Sequence, residues 1–126
     1  MSFTITVDDP RGECWRYSDS ERDIQIGIGG LDGLSVQTDD LIVKTGPKLD
    51  MRSRMIVLAN FMRYMAGPRD GTAKLNLYVV KPYRPSAAQL EELDAEVSED
   101  GFKLTQGTLD GKAELLVWQR DVGPRK

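Results

Sequence analysis

Residues 86–120 read SAAQLEELDAEVSEDGFKLTQGTLDGKAELLVWQR, and this stretch decides the fold. Ser86 followed three residues later by Gln89 forms a capping box, which predicts a helix over residues 87–99. Apolar side chains recur at helical spacing behind the box, and acidic side chains line the opposite side. Gly101 is placed to end the helix because glycine adopts the left-handed conformation at low cost.

The second half of this stretch is typical of a β-hairpin. Segments 102–109 and 112–120 are predicted strands, and they flank Asp110-Gly111, a dipeptide that favours a tight turn. Before the helix, residues 72–81 alternate apolar and polar side chains, which predicts a long strand. A strand, a helix and a hairpin joined by short connections favour a mostly antiparallel sheet with helices on one face.

A further helix is predicted over residues 48–66, with Gly67-Pro68 as its stop signal. At 100° per residue its apolar side chains form one stripe, and Arg52 and Arg63 lie opposite with Ile56 between them. We interpret the stripe as core, with an adaptable binding or dimer surface as the alternative, because methionine fits irregular partners. The stripe consists of Met51, Met55, Leu58, Met62 and Met65.

Short alternating runs separated by turn residues fill the first third of the chain and predict an N-terminal β-meander closed by Leu34–Val36 and Leu41–Val43. The predicted fold class is therefore α+β, with a mostly antiparallel sheet. The meander is followed by helix, strand, helix and β-hairpin, and the two helices pack on the sheet. Residues 1–126 are expected to form a single domain, because this length suits one hydrophobic core, with 121–126 as a loose tail.

The composition removes several kinds of chemistry. The chain has no histidine, so Ser–His and Cys–His nucleophile pairs and imidazole-bound zinc are excluded. Cys14 is the only cysteine, and we interpret it as a small buried hydrophobe. No motif pairs a nucleophile with a base, so we predict a non-enzymatic protein without cofactor or metal. The apolar runs are short and the N-terminus lacks a signal-peptide pattern, which predicts no membrane contact and a cytoplasmic location.

Two short motifs resemble ligand sites but lack the context that those sites need. Gly27-Ile28-Gly29-Gly30 follows a predicted strand, as a phosphate loop does, but it is followed by a turn and a strand where a helix is required. Asp19, Glu21 and Asp23 are spaced like the first ligands of a calcium loop, but Ile24 stands where that loop needs glycine. Neither motif is therefore interpreted as a site.

Charge is unevenly distributed along the chain, although the net charge is only −3. Residues 1–43 carry nine acids and three bases, residues 44–85 two acids and nine bases, and residues 86–126 nine acids and five bases. In one interpretation, the basic helix and strand lie beside the acidic segments and neutralise them. In the other, the blocks of charge steer association with a partner molecule. The sequence leaves both interpretations open.

These observations favour a small protein-interaction module, an accessory, adaptor or inhibitor protein that docks on a larger protein. One alternative is a structural subunit of a homo-oligomeric, viral or secretion assembly. The other is a nucleic-acid or phosphate-ligand binder that uses the basic residues of segment 44–84. Interfaces are enriched in arginine, and the acidic face of the second helix is a further candidate surface. The predicted interaction surface consists of Arg52, Ile56, Arg63, Arg69 and Arg84.

Overall fold

The computed structural model describes residues 2–29, 33–66 and 73–121. This part of the chain forms two helices and eight strands in two mostly antiparallel sheets, which confirms the α+β class. The predicted helix stop Gly67-Pro68 and most of the predicted tail lie outside the described residues. In chain order the elements are β1 (Phe3–Val7), β2 (Cys14–Asp19), β3 (Asp23–Gly27), β4 (Leu34–Gln37), β5 (Leu41–Thr45), α1 (Met51–Ala66), β6 (Lys74–Tyr78), α2 (Ala87–Ser98), β7 (Lys103–Gln106) and β8 (Leu115–Gln119).

The first sheet is the N-terminal meander, with strand order β1-β2-β3-β5 and antiparallel pairing throughout. Its inner face buries Ile5, Tyr17 and Ile24, which lie opposite one another on adjacent strands. Its outer face carries polar side chains such as Thr4 and Thr6, which are exposed. This alternation is the period-2 pattern from which these strands are predicted.

The second sheet has the order β4-β6-β8-β7, and its first strand departs from the predicted meander. β4 leaves the first sheet and pairs in parallel with β6, so that Leu34 lies beside Leu75 and Val36 beside Leu77. All four side chains are buried. The alternating pattern of β4 shows that it is a strand with one buried face, but the identity of its neighbour depends on residues far along the chain.

Helix α1 contacts both sheets, and its methionine-rich stripe is core, as predicted. Met55, Leu58 and Met62 are buried, and Met51 and Met65 pack against the buried cluster. Toward the first sheet, the Phe61 and Trp15 rings meet edge to face at 6.5 Å between centroids. Asn60 donates a hydrogen bond to the Tyr17 hydroxyl at 3.0 Å.

Helix α2 begins with the predicted capping box, because both of its hydrogen bonds form. The Ser86 side chain accepts from the Gln89 N–H, and the Gln89 side chain accepts from the Ser86 N–H. On the inner side of the helix, Leu90, Leu93 and Val97 are buried. The helix is followed by Gly101 with φ +91°, as its predicted role requires.

The C-terminal hairpin forms as predicted, but its connection is longer than the sequence suggests. β7 and β8 are antiparallel with a register shift between Leu104 and Gln106, and residues 107–114 connect them. Gly107 has φ +90° and Gly111 has φ +85°, so the turn uses two glycines in the left-handed region. The Asp110-Gly111 dipeptide therefore lies within a wide loop.

A buried polar network joins the β4–β5 loop to the segment that leads into α2. Thr38 is fully buried, and its hydroxyl accepts from the Val80 N–H at 2.9 Å. The Thr38 carbonyl accepts from the Arg54 guanidinium at 3.0 Å, and that guanidinium stacks 3.9 Å from the Tyr83 ring centroid. Burial lowers the pKa of Arg54. The network fixes the start of α1 relative to the loop after β6.

Candidate functional site

A cavity of about 390 Å³ lies in a groove between α1 and α2 in the described residues. Its floor contains Met55, Ala59 and Leu93, which are buried, and Ile56 stands at its mouth with 47% of its surface exposed. An exposed isoleucine beside buried apolar side chains leaves apolar surface in contact with water. We call this site the α1–α2 groove. Its lining residues are Arg52, Met55, Ile56, Ala59, Asn60, Gln89, Glu92, Leu93, Ala95 and Glu96.

The last turns of the two helices meet at one end of the groove, where Arg63 of α1 reaches Glu96 of α2. At that last turn Arg63 donates to Asp100 and to Glu96, each at 2.8 Å, and lies 3.7 Å from Glu99. Hydrogen bonding to Asp100 raises the pKa of the Arg63 guanidinium, and Glu96 contributes in the same direction. We call this cluster the Arg63 clasp. It joins the helices where the groove ends.

The walls of the groove carry charges of both signs. Arg52 on α1 and Glu92 on α2 are exposed, and within the described residues neither forms an ion pair. Of the acidic residues of α2, Glu92 and Glu96 line the groove. The groove therefore offers an apolar contact at Ile56, two acidic side chains on α2 and the cation of Arg52 on α1.

The predicted interaction residues lie in different surroundings. Arg52 and Ile56 line the groove, and Arg63 forms the clasp at its end. Arg84 lies elsewhere and donates to the carbonyls of Gly111 and Ala113, at 3.0 and 3.1 Å. Arg69 lies outside the described residues. The predicted surface is therefore not a single patch in the described part of the chain, and its role in binding stays a prediction.

The α2 wall of the groove is the part of the candidate site that the sequence predicts least fully. The sequence indicates an acidic face on this helix but does not name the residues that line the groove. Gln89, Glu92 and Glu96 follow one another at helical spacing beside the buried Leu93. These residues form a row between the apolar and the polar face of α2. Such a row is the signal in the sequence for this wall of the groove, because another helix can pack against α2 there. The sequence alone does not say which helix that is.

The short motifs of the first third of the chain serve local structure. Asp19 accepts the N–H groups of Glu21 and Arg22, each at 2.8 Å, and so closes the β2–β3 turn. Gly29 pairs with Ser35 of β4, so a strand follows the glycine segment. Asp19 therefore has a structural role in its turn, whereas Gly30 of the glycine segment lies outside the described residues.

The lone cysteine is half-buried at the start of β2. Burial raises the pKa of the Cys14 thiol, and the charges of Asp8 and Asp9 raise it further. A raised pKa keeps the thiol protonated near neutral pH, which is the less reactive form. In residues 2–29, 33–66 and 73–121, no group of three or more acidic or cysteine side chains is arranged to hold a metal ion.

Neither α1 nor α2, the helices of the described residues, combines the length and apolar character needed to cross a membrane. No protein-family model matches this chain, and neither a curated protein nor a solved structure is significantly similar to it.

Proposed function

We propose that this chain is a small non-enzymatic protein-interaction module, an accessory, adaptor or inhibitor protein that docks on a larger protein in the cytoplasm. The observation that carries the proposal is Ile56, an apolar side chain 47% exposed at the mouth of the α1–α2 groove. An apolar groove between helices frequently binds the apolar face of an amphipathic helix. The module acts by contact.

The proposed occupant is an amphipathic helix of the partner protein. Its apolar face would cover Ile56 and reach the buried side chains of the groove floor, as helix-in-groove complexes do. Its lysine or arginine side chains would lie along α2, where Glu92 has no ion-pair partner within the described residues. An acidic side chain at the other end would meet Arg52. The acidic wall thus favours a basic amphipathic segment.

The charges around the groove favour a protein partner over a nucleic acid. Arg52 stands across the groove from acidic side chains of α2, and Arg63 and Arg84 form hydrogen bonds within the chain. A phosphate backbone requires several accessible cations on one surface. Arg63 and Arg84 are therefore already bound within the chain, which supports nucleic-acid binding less well than the groove supports a basic helix.

The test compares two exposed isoleucines. Ile56→Asp places a charge in the groove mouth, whereas Ile42→Asp places the same charge on β5, where Ile42 is 49% exposed. The probe is a synthetic helical peptide of leucine and lysine, titrated into each 15N-labelled protein and followed by NMR and calorimetry. A side chain that anchors an interface contributes about 2 kcal/mol, so we expect Ile56→Asp to weaken binding about 30-fold and Ile42→Asp to leave it unchanged.

A second peptide tests the charge argument. A helical peptide of leucine and glutamate has the same apolar face, and we expect it to bind at least about tenfold more weakly because it meets Glu92 and Glu96 with like charge. The groove assignment is wrong if both isoleucine variants bind the lysine peptide equally well, or if its resonance shifts lie away from α1 and α2.

A further inference from the structure

The four outer strands of the two sheets differ in how they are protected from pairing with another chain. β5 carries Lys44 and a register shift in its pairing with β3. β7 carries Lys103 and a register shift in its pairing with β8. β4 is covered at Ser35, whose N–H and carbonyl both bond to Gly29 at 2.9 Å. Lysine, irregular register and a covering segment are the usual protections of a sheet edge.

Within the described residues, β1 has none of these protections. Its sequence is FTITV, without charge or proline, and all five of its residues pair with β2 in unbroken register. Val7 is 52% exposed. A regular, uncharged edge strand of aromatic and β-branched residues is a template for pairing with another strand.

The backbone direction of β1 shows which groups are available. The Asp8 N–H donates to the Cys14 carbonyl at 2.8 Å, so even-numbered residues of this strand point toward β2. The N–H and carbonyl groups of Phe3, Ile5 and Val7 therefore point away from the sheet. Within the described residues, no hydrogen bond reaches these groups.

We infer that β1 pairs antiparallel with β1 of a second copy of this chain, about a two-fold axis at Ile5. The pattern of FTITV is the same in both directions, so each side chain meets a suitable one. Thr4 lies opposite Thr6 of the second copy on the polar outer face, and Phe3 lies opposite Val7 on the inner face. Threonine pairs and aromatic–β-branched pairs both stabilise antiparallel strands.

The second copy fits this edge better than an arbitrary strand because the pairing is isologous. Ile5 lies on the axis with outward backbone groups, so it exchanges both hydrogen bonds with its own equivalent. The next residues outward, Ser2 and Asp8, lie opposite each other as a hydroxyl and a carboxylate. A single short strand buries less area than a permanent dimer needs, so the expected dimer is weak and depends on concentration.

The experiment uses two double variants that differ at one side chain. In Thr4→Glu/Thr6→Glu, glutamate meets glutamate across the two-fold axis, whereas in Thr4→Lys/Thr6→Glu, lysine meets glutamate. Residue 6 lies beside Arg16 of β2 within each copy, and both variants place the same glutamate there. Mass is measured by light scattering and sedimentation from about 10 μM to about 1 mM, the range in which weak dimers assemble.

We expect the wild-type chain and the lysine–glutamate variant to dimerise as concentration rises. The glutamate–glutamate variant should dimerise at least about tenfold more weakly, because like charges directly opposite destabilise strand pairing. Equal dimerisation of the two variants would contradict the pairing, as would a wild-type chain that stays monomeric over the whole range. The measurement needs no foreign partner, so its outcome is independent of the proposed groove function.

Amide hydrogen exchange of the wild-type chain provides a test without substitutions. The Thr4 and Thr6 amides bond to β2 in every copy and should be protected at low and high concentration alike. The amides of Ile5 and Val7 should exchange more slowly only at high concentration, because the second copy then accepts their hydrogen bonds. Unchanged exchange of Ile5 and Val7 would overturn the inference even if the chain self-associates through another surface.

Discussion

Replacing Thr38 with valine tests the buried network that positions the two helices. Valine keeps the branched shape of the side chain, so the main change is loss of the hydroxyl that accepts from the Val80 N–H at 2.9 Å. Thr38 is fully buried, and water has no access to replace that acceptor. An unsatisfied buried N–H costs about 1–3 kcal/mol, so we expect the free energy of unfolding to fall by about 2 kcal/mol.

The matched control for this change is Thr105→Val on β7. The Thr105 hydroxyl donates to a backbone carbonyl, that of Val117 at 3.3 Å, but this residue is exposed. Water can take the place of the lost hydroxyl, so the expected change is within about 0.5 kcal/mol. Both variants are compared with the wild-type chain by urea unfolding, followed by circular dichroism, with unchanged m-values as the sign of an unchanged unfolding reaction. Equal stability of Thr38→Val and the wild-type chain would refute the reasoning.

Two further predictions concern local hydrogen bonds. Ser86→Ala removes the N-cap of α2 and should lower the free energy of unfolding by about 1 kcal/mol. The control, Ser98→Ala at the other end of the helix, should change it little. Equal losses of stability in thermal unfolding would contradict the capping role. Backbone N–H groups of Ser53 and Lys112 donate to Asp50 and Asp110 and lower the pKa of these carboxyl groups. The stability that the two carboxylates contribute is therefore present above their unfolded pKa near 4. It is lost as the pH falls through their lower folded pKa values. We therefore expect urea midpoints to decline below about pH 4, and a shallower decline in Asp50→Asn/Asp110→Asn; identical acid profiles would contradict it.

Features that depend on neighbouring residues could be predicted from the sequence. The capping box needs only Ser86 and Gln89, and the core stripe of α1 needs only helical spacing, so both predictions are confirmed. The meander strands are recognisable because alternation exposes one face of each strand. These signals lie within a few residues of each other, and tertiary structure rarely overrides them when they agree.

Features that depend on distant partners could not be predicted. β4 has the same alternating pattern whether it pairs with β3 or with β6, so the pattern does not reveal its place in the second sheet. Arg52 and Arg63 share a helix face in the sequence, yet only Arg63 meets the acidic end of α2. The interpretation in which basic and acidic segments neutralise one another holds for Arg63. Only the three-dimensional arrangement shows that Arg52 stays open.

One contact of the Arg63 clasp, that between Arg63 and Glu96, can be exchanged for a contact with a partner molecule. A cationic side chain of a partner that approaches Glu96 would offer that carboxylate the same kind of contact that Arg63 provides now. Arg63 would retain Asp100, so the helices would stay joined at this end and no charge would be left unpaired. The binding free energy of such a partner would then depend on the difference between the ion pair that it forms with Glu96 and the Arg63–Glu96 ion pair that it replaces. Small changes in the partner's basic residues, or in ionic strength, would therefore shift binding far more than they shift the stability of the fold.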